Sequence, residues 1–365
     1  MLNYYNPVKI IKTLSWSHEL NFRIEDLKIS APIIVTSKGN RKRLSLDSKF
    51  DPDSIFSDVG NNPNFKNCLN AIKFCQKNLF NGVIAIGGGS VMDLAKVVMA
   101  YLCLEKPDIY ELIDYKGKFP QTIPSIFIPT THGTGSEVTM WGTIWDMKEK
   151  KKHSISHKNL YPSLAILDGN LALSLPLDIS IITVMDALSH SFEAIWNKNA
   201  NVKSTNYAIQ AISIILENIK PFKKKYADVN LRHNLLLASN IAGLAFSNTK
   251  TAAAHSISYP LTIYYGIPHG IASSMSLLPL LEINKNSIKD SINKICKKNK
   301  ITYSQLIQNI KSIPQNIIPY KLRDWGITEK NLNKLVDASF TKGRMDNNIV
   351  DLCSTDVMNI FQSLL

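Results

Sequence analysis

The sequence predicts an α/β domain in the N-terminal half of the chain and an all-α domain in the C-terminal half. Three short apolar runs, at 31–37, 81–88 and 124–131, end in Gly, Ser or Thr, which is typical of buried parallel strands. Amphipathic stretches with helical spacing follow the first two runs, so strand and helix alternate. From about residue 175 the apolar spacing is almost entirely helical, which places the domains at 1–173 and 174–365.

The composition is that of a globular protein with two domains of moderate size. The chain has 365 residues, of which 45% are hydrophobic and 19% charged, and these proportions exclude a disordered chain. Pro176 marks the one break between the halves, and no Gly/Ser-rich linker separates them. We therefore expect two packed domains that share a cleft.

The formal net charge of +13 raises nucleic acids, anionic lipids and acidic small molecules as partners. Net charge concerns solubility and non-specific binding, however, and the sequence contains neither a nucleic-acid reading motif nor interleaved aromatic and basic residues. We therefore expect no nucleic-acid partner. A basic nucleic-acid-binding protein is the alternative from another class, and a steeply salt-dependent DNA-binding isotherm would support it.

The cysteines and the N-terminus indicate a reduced, cytoplasmic enzyme. The five cysteines form no CxxC pair, which argues against a disulfide framework and against a thiolate zinc site. The N-terminal residues lack the continuous apolar stretch of a signal peptide, and no segment approaches the ~18 consecutive apolar residues of a membrane span. We expect no membrane partner.

A glycine-rich turn lies between the second apolar run and the helix predicted after it. In VIAIGGGSVMDLAK the turn contains Gly87, Gly88, Gly89 and Ser90, and Asp93 follows in the helix. Glycines allow a close backbone approach, and the free N–H groups at a helix start attract an anion such as a pyrophosphate. The alternative is a tight turn in which Ser90 or Asp93 merely caps the helix. The spaced GxGxxG fingerprint is absent.

A second polar turn, PTTHGTGSEV at 129–138, follows the third apolar run. Its hydroxyl groups belong to Thr130, Thr131, Thr134 and Ser136. Open α/β sheets bind ligands at the carboxyl ends of their strands, so these four residues and the glycine-rich turn are candidates for binding a cofactor. A hydrophilic loop without a ligand is the alternative.

One aspartate and three histidines are candidates for a metal site. Asp186 and His190 are four residues apart in a helical stretch and share a face, whereas His255 and His269 lie on a later helix and in the loop after it. One carboxylate and three imidazoles suit a first-row divalent ion such as Fe²⁺ or Zn²⁺. For Asp186 and His190 alone, a simple hydrogen-bonded pair is the alternative.

The chain resembles the iron-containing (group III) alcohol dehydrogenases over essentially its whole length. The resemblance rests on GGGSVMDLAK, PTTHGTGSE, LDGNLALSLP, MDALSHSFEA and AAHSISYPLTIYYGIPHG, which occur in the family's order and at its separations. It implies a Rossmann-like dinucleotide-binding domain and a helical metal-binding domain, the fold shared with dehydroquinate synthase. The family's four metal ligands map onto Asp186, His190, His255 and His269. Family members commonly form dimers, so a homodimer is expected.

The family resemblance implies reduction of an aldehyde to a primary alcohol by a nicotinamide cofactor, with the metal as a Lewis acid on the carbonyl oxygen. Within the family the chain looks most like the phosphonoacetaldehyde reductases, also called 2-hydroxyethylphosphonate dehydrogenases, of phosphonate biosynthesis. The segments that carry this likeness are TIWDMKEKKKHSISHKNLYPSLAILD, IWNKNAN, FSNTKTAAAHSISYPL and GRMDNN. A butanol, lactaldehyde or glycerol dehydrogenase is the nearest alternative, and a dehydroquinate-synthase-like lyase is a more distant one.

Two residues depart from the family pattern. Tyr259 stands where many members have a second histidine that is often proposed to relay protons, so the relay is in doubt, although Tyr259 can still form hydrogen bonds near the substrate. His132 replaces the usual alanine of the TTAGTGSE motif. His132 is a candidate for protonating the product, and packing is the favoured alternative.

A phosphonate substrate is a small anionic aldehyde and needs cationic partners. Lys250 lies five residues before His255, in a stretch that by family resemblance lines the substrate pocket, and Arg344 falls on a loop that also approaches it. Lys198 in IWNKNAN is the third candidate. Arginine offers a planar fork to phosphonate oxygens and lysine a compact charge. Surface charge is the alternative for each.

The end of the first apolar run bears on cofactor preference. NAD-preferring relatives often carry an aspartate there, which accepts a hydrogen bond from the ribose. This sequence has Ser37 at that point, followed by Gly39 and by the cations of Arg41, Lys42 and Arg43. Serine and nearby cations tolerate a 2′-phosphate that a carboxylate would repel, so we expect NADPH, with NADH as the alternative. An exposed basic loop without a ligand would account for the same residues.

Overall fold

The computed structural model describes residues 4–104, 108–115, 117–146, 148–149 and 151–365. These residues form an α/β unit and a helical unit. The α/β unit comprises Asn6–Thr131 and Ser136–Ala172. The helical unit comprises Leu173–Leu365, His132–Gly135 and the described residues Tyr4 and Tyr5.

The α/β unit contains a six-stranded parallel sheet in the order β1-β8-β5-β4-β2-β3 and an antiparallel hairpin, β6–β7. The strands are β1 Lys9–Lys12, β2 Pro32–Thr36, β3 Ile55–Phe56, β4 Gly82–Gly87, β5 Ser125–Pro129, β6 Trp141–Asp146, β7 Lys151–Ser156 and β8 Leu164–Leu167. The helices of this unit are α1 Trp16–Asp26, α2 Lys38–Arg43, α3 Phe65–Cys75, α4 Gly89–Cys103 and α5 Ile109–Asp114.

Both faces of the sheet are covered, which is why its central strands are apolar without alternation. Ile33 and Val35 of β2 belong to a core that includes buried residues of α3 and α4. Ile34 faces the other way and joins a second core with Leu20 of α1. The β5 strand is buried along its whole length.

The chain changes direction across the sheet between β2 and β4. From β2 the chain runs outward to β3 at the edge, then crosses back to β4 on the other side of β2 and continues to β5. Thr36 and Ile86 are paired in register, so the carboxyl ends of β2 and β4 are adjacent. Ligands of open α/β sheets bind at such a switch point.

The helical unit is built around three long helices, α6, α7 and α8, which pack against one another, while α10 packs against α6 and α9. Its helices are α6 Leu177–Ile195, α7 Val202–Lys224, α8 Val229–Thr249, α9 Ala253–Tyr265, α10 His269–Met275, α11 Leu277–Asn284, α12 Lys289–Asn299, α13 Tyr303–Ser312, α14 Leu332–Ala338 and α15 Ser354–Ser363. Among the described residues, no helix has the length and apolar character needed to cross a membrane.

The structure confirms the predicted fold class, an α/β half followed by a helical half. The three predicted apolar runs form β2, β4 and β5, which are neighbours in the sheet. The edge strands and the hairpin were not predicted. The sequence KIIK of β1 is short and flanked by lysines, and KKHSIS of β7 has one buried position, so neither produces a strong apolar run.

Candidate metal centre and nucleotide-binding turns

Asp186, His255 and His269 come together in the helical unit from three different helices, α6, α9 and α10. One ligand atom of each lies within 4.8 Å of the others. The Nε2 atoms of His255 and His269 are 3.6 and 4.0 Å from Oδ1 of Asp186. Asp186 and His255 are buried, whereas the His269 side chain is 25% exposed, so the cluster is open on the His269 side.

His190 lies beside this cluster, one turn after Asp186 on α6. Its Nδ1 atom is 3.9 Å from Oδ2 of Asp186. Its ring stacks on Phe246 and on His255, with centroids 4.1 and 4.5 Å apart. Burial lowers the pKa of His190 to about 4, and Asp186 opposes this shift only in part. His190 is therefore neutral at pH 7, the form in which imidazole binds a metal.

Glu193 is a buried partner of His255 that was not predicted from the sequence. Its side chain is fully buried, and its Oε2 atom lies 2.5 Å from Nδ1 of His255. Its Oε1 atom accepts hydrogen bonds from the backbone N–H groups of Ala252 and His255, both at 3.0 Å. A carboxylate on Nδ1 turns the Nε2 lone pair of His255 toward Asp186 and fixes the tautomer that ligates a metal.

The signal for Glu193 was present in the sequence. Asp186, His190 and Glu193 follow the spacing i, i+4, i+7, which places all three on one face of α6. Ser273 on α10 also contacts the cluster and donates a hydrogen bond of 2.8 Å to Oδ1 of Asp186. Two candidate ligands thus have a partner that orients them: Glu193 for His255 and Ser273 for Asp186.

The residues present fit a divalent first-row metal. In the described part of the chain, Nδ1 of His190 and Nε2 of His255 are buried and have no hydrogen-bond partner. Leaving such an atom unsatisfied costs about 1–3 kcal/mol, and a cation that accepts the lone pairs removes that cost. Burial opposes ionisation of Asp186, but the neighbouring imidazoles of His190, His255 and His269 outweigh it and hold the pKa of Asp186 below its usual range, so the carboxylate is ionised. The donor set is that of Fe²⁺ or Zn²⁺.

The glycine-rich turn connects β4 to α4 in the α/β unit. Gly88 is the N-cap residue of α4, Gly89 is the first helical residue, and no side chain caps the helix. A Cβ at Gly87 would lie 2.5 Å from Cγ2 of Val91, so only glycine fits this turn. The backbone N–H of Thr130 donates to the Gly87 carbonyl and joins this turn to the second one.

Ser90 and Asp93 do not cap α4, which contradicts the alternative interpretation of this turn. The Ser90 hydroxyl accepts a hydrogen bond from the backbone N–H of Asn62, at 3.2 Å. Asp93 accepts one from the Ser136 hydroxyl, at 3.1 Å. Within the described part of the chain, no side chain caps the start of α4, and such a helix terminus can bind an anion through its backbone N–H groups.

Ser136 belongs to a buried network around Lys96, another residue that the sequence reasoning missed. The Lys96 ammonium lies 2.8 Å from the carbonyl and the hydroxyl of Ser136 and from the hydroxyl of Thr139. Burial lowers the pKa of Lys96 to about 8, against the charges of Asp93 and Glu137. These bonds give Ser136 a structural role between α4 and the second turn. Thr130 is buried as well, and Thr131 and Thr134 are partly exposed.

The residues after β2 form the short helix α2 rather than a loop. Ser37 caps it by accepting a hydrogen bond from the backbone N–H of Asn40, and Gly39 lies within it. Arg41 forms an ion pair of 2.5 Å with Asp47 and donates to the carbonyl of Ile55. This pairing compensates the charge of Arg41 and weakens the expectation that Arg41 binds a 2′-phosphate. Ser37 itself lies at the switch point between β2 and β4.

Three loops that were predicted to contact a substrate meet in the helical unit. The Asn197 side chain donates to the carbonyl of Lys250, at 3.2 Å. The Asn347 side chain donates to the carbonyl of Thr251, at 2.9 Å. The loops around residues 197, 250 and 347, which are far apart in the chain, are therefore neighbours beside the start of α9.

The three candidate cations in these loops differ in their partners. The Lys198 ammonium lies 2.5 Å from a carboxylate oxygen of Asp351, so its charge is compensated. Arg344 donates through Nε to the Tyr259 hydroxyl, at 3.2 Å, and to the carbonyl of its neighbour Gly343. Lys250 is exposed. The structure thus joins Arg344 to Tyr259 and weakens the expectation for Lys198.

His132 packs inside the helical unit. Its side chain is fully buried, and its ring meets Phe222 edge-on with centroids 6.2 Å apart. Burial, with a smaller effect from the Arg232 charge, lowers the pKa of His132 to about 3. Gly135, with a φ of +53°, brings this segment against α8, where a Cβ would lie 2.5 Å from Gly243. A buried, neutral imidazole favours the packing interpretation over a role in protonating product.

Comparison with known proteins agrees with this geometry. Residues 7–169 match the family model described as iron-containing alcohol dehydrogenase, and residues 180–365 match that of the family's C-terminal part. A 4-hydroxybutyrate dehydrogenase of Clostridium kluyveri is 29% identical over 81% of each chain. An NADPH-dependent butanol dehydrogenase of Clostridium saccharobutylicum is 31% identical over 70% of this chain and 68% of its own.

Among solved structures, sulfoacetaldehyde reductase from Bifidobacterium kashiwanohense, in complex with NAD⁺, superposes with a TM-score of 0.90. It is 28% identical, and the match covers 100% of this chain and 98% of that one. The family models together span nearly all of the chain, including every candidate metal ligand. The chain therefore belongs to the iron-containing alcohol dehydrogenase family, whose members are metal-dependent oxidoreductases that use NAD(P)H.

Proposed function

We propose that this enzyme reduces a small anionic aldehyde to a primary alcohol with NADPH, and that the reaction is phosphonoacetaldehyde to 2-hydroxyethylphosphonate. The observation that carries the proposal is the position of two cations in the helical unit. Arg344 donates a hydrogen bond to Tyr259 of α9, and Lys250 lies three residues before the start of that helix, which also contains the candidate ligand His255. A phosphonate requires such charged donors.

Two of the similar proteins support an anionic substrate by their names. Sulfoacetaldehyde bears a sulfonate, and 4-hydroxybutyrate bears a carboxylate. Both compounds combine a two- to four-carbon chain with one anionic group, as phosphonoacetaldehyde does. The similarity is moderate, at 28% and 29% identity, so it supports the substrate class more strongly than the individual substrate.

The proposed reaction assigns a role to the candidate metal ligands and to Glu193, which orients one of them. Asp186, His190, His255 and His269 would hold the metal, which when bound supplies a Lewis acid for the carbonyl oxygen. Glu193 keeps Nε2 of His255 directed at Asp186. Hydride comes from the nicotinamide cofactor, which the glycine-rich turn of the α/β unit would hold by its phosphates.

The cations and Tyr259 would bind and orient the other end of the substrate. Arg344 keeps donor groups available beyond its bonds to Tyr259 and Gly343, since a guanidinium carries five N–H donors. Tyr259 stands four residues after His255 and is 9% exposed, so the Arg344–Tyr259 pair restricts where a small substrate can lie. Fixing the anionic group fixes the aldehyde carbon at the other end of a two-carbon chain.

The Arg344→Ala variant tests the substrate class. We expect kcat/KM for phosphonoacetaldehyde to fall at least about tenfold, the effect of losing one charge-assisted hydrogen bond, while kcat/KM for propanal stays within about twofold. Arg323→Ala, which removes an exposed arginine of the same unit, is the matched control and should change neither value. Equal losses for both aldehydes in Arg344→Ala would argue against an anion-binding role.

The Ser37→Asp variant tests the preference for NADPH. Aspartate caps a helix as well as serine does, so α2 should persist while a carboxylate appears at the switch point. We expect kcat/KM for NADPH to fall about tenfold relative to kcat/KM for NADH. The carboxylate repels the 2′-phosphate of NADPH, whereas it accepts a hydrogen bond from the ribose 2′-hydroxyl of NADH.

Ser37→Asn is the control for Ser37→Asp because asparagine is also a good cap but carries no charge. It should leave the ratio of the two cofactors close to that of the unaltered enzyme. An unchanged ratio in Ser37→Asp, measured with steady-state NADPH and NADH kinetics, would show that residue 37 does not face the ribose.

A general alcohol dehydrogenase is the second candidate function. The similarity to an NADPH-dependent butanol dehydrogenase, at 31% identity, favours it. Such an enzyme would reduce butanal or propanal as fast as an anionic aldehyde and would be indifferent to the loss of Arg344. The same substrate panel therefore separates the two proposals.

A further inference from the structure

Lys250 has a backbone conformation that lysine rarely adopts. Its φ is 65° and its ψ is 179°. This region is open to glycine, but in any other residue the Cβ atom collides with neighbouring backbone atoms. Lys300, which ends α12, also has a positive φ, but at 55° and 44° it lies in the left-handed helical region that other residues tolerate better.

Hydrogen bonds on both sides hold Lys250 in this conformation. Its backbone N–H donates to the carbonyl of Phe246, at 2.8 Å, and its carbonyl accepts from the Asn197 side chain, at 3.2 Å. One residue later, the carbonyl of Thr251 accepts from the Asn347 side chain, at 2.9 Å. Asn197 is itself 2% exposed and therefore has little freedom to move away.

The next residues are anchored by Glu193. Its Oε1 atom accepts hydrogen bonds from the backbone N–H groups of Ala252 and His255, both at 3.0 Å. The chain from Lys250 to His255 is thus held by four elements: α6, α8 and the loops that contain Asn197 and Asn347. Strained backbone persists only where its surroundings enforce it in this way, and such positions cluster at functional sites.

Lys250 is also the candidate cation with the most available charge. Lys198 is paired with Asp351, and Arg344 already donates to Tyr259 and to a carbonyl. The exposed Lys250 ammonium has no ion pair or hydrogen bond within the described residues. Arg344 and Asn347 lie on one short loop, and that loop bonds both Thr251 and Tyr259, so Lys250 and Arg344 flank the same stretch of chain.

We propose that Lys250 determines specificity for anionic aldehydes and that its strained backbone serves to set its ammonium against the anionic group of the substrate. This inference rests on the proposed function. It explains why a lysine occupies a position where glycine would make the protein more stable. The Lys250 side chain is exposed, and its ammonium has no hydrogen bond or ion pair within the described residues, so neither burial nor pairing of the side chain accounts for a lysine at this position.

Two substitutions at this position separate the backbone from the charge. Lys250→Gly relieves the strain and removes the ammonium, whereas Lys250→Met keeps the strain and removes only the ammonium. We expect the unfolding midpoint of Lys250→Gly to rise by about 1 to 3 °C, and that of Lys250→Met to stay unchanged. In both variants kcat/KM for phosphonoacetaldehyde should fall about tenfold, with propanal unaffected.

Lys300→Gly is the matched control because it makes the same chemical change at an exposed residue with positive φ in the same unit. It should leave the kinetics with both aldehydes unchanged. An unfolding midpoint in Lys250→Gly that is lower than or equal to that of the unaltered protein would overturn the assignment of strain. Equal kinetic losses for phosphonoacetaldehyde and propanal in Lys250→Met would overturn the assignment of specificity.

Different measurements test the proposed function and the role of Lys250. If the unaltered enzyme does not prefer phosphonoacetaldehyde over propanal, the proposed function fails. The role of Lys250 is then tested by using phosphonoacetate as an inhibitor and measuring its inhibition constant for the reduction of propanal. Inhibition that weakens about tenfold in Lys250→Met supports an anion site at Lys250. If phosphonoacetate does not inhibit the unaltered enzyme, or inhibits Lys250→Met equally well, the anion site at Lys250 is contradicted.

Discussion

The His269→Ala variant is expected to lose its metal and at least about 10³-fold of its kcat, which corresponds to ~4 kcal/mol of the reaction barrier. His269 supplies one of the donor atoms that converge on Asp186, and without it the site keeps only two imidazoles and a carboxylate. The side chain is 25% exposed, so its removal should disturb the core of the helical unit little. Metal content by elemental analysis and turnover of the Fe²⁺-loaded protein measure the two effects.

His18→Ala is the control for this experiment because His18 is exposed on α1 of the α/β unit. It should retain the metal content and kcat of the unaltered enzyme. Thermal unfolding of both metal-free variants should match that of the metal-free parent. A His269→Ala protein that keeps full turnover would contradict the assignment of the metal centre.

Glu193→Ala is expected to weaken metal affinity by about 10- to 100-fold while every metal ligand remains in place. Glu193 holds Nδ1 of His255 and two backbone N–H groups at the start of α9. Without it, the His255 ring loses the partner that fixes its tautomer, and three donors are left buried without an acceptor. Competition between the protein and a chelator for Fe²⁺ or Zn²⁺ measures the affinity.

Glu193→Gln distinguishes positioning from packing. Glutamine keeps the volume and one acceptor oxygen, so it should recover most of the stability of the metal-free protein but only part of the metal affinity. A purely structural role for Glu193 predicts a different pattern, in which metal affinity in Glu193→Ala is unchanged once the protein is folded. That result would remove Glu193 from the site.

Local sequence patterns were sufficient to predict the fold class, and the family resemblance implied the set of candidate metal ligands. The apolar runs of β2, β4 and β5 are buried on both faces and therefore stand out in the sequence, and motifs spread along the chain indicate the family. Asp186, His255 and His269, which the family resemblance implied as ligands, do converge. The spacing on α6 also contained Glu193, but a single glutamate on a helix is usually exposed, so its burial was not evident.

The roles of the charged residues were harder to predict because the sequence does not show which charges are paired in the fold. Lys198 pairs with Asp351, 153 residues later. Arg41 pairs with the nearby Asp47, but the intervening residues include the end of α2 and a turn, so the sequence spacing did not indicate this contact. Both cations had been candidates for binding anions. The conformation of Lys250 could not be predicted either, because a positive φ is normally signalled by glycine or asparagine and here falls on a lysine.

The central claim is a metal-dependent reductase for anionic aldehydes, and one measurement tests it most directly. Initial rates of NADPH oxidation with phosphonoacetaldehyde and with propanal are compared for protein that is loaded with Fe²⁺ and for protein that is stripped with a chelator. We expect kcat/KM to favour phosphonoacetaldehyde at least about tenfold in the loaded enzyme, and both activities to vanish on stripping and return with Fe²⁺. Equal rates for the two aldehydes, or full activity in the stripped protein, would contradict the account.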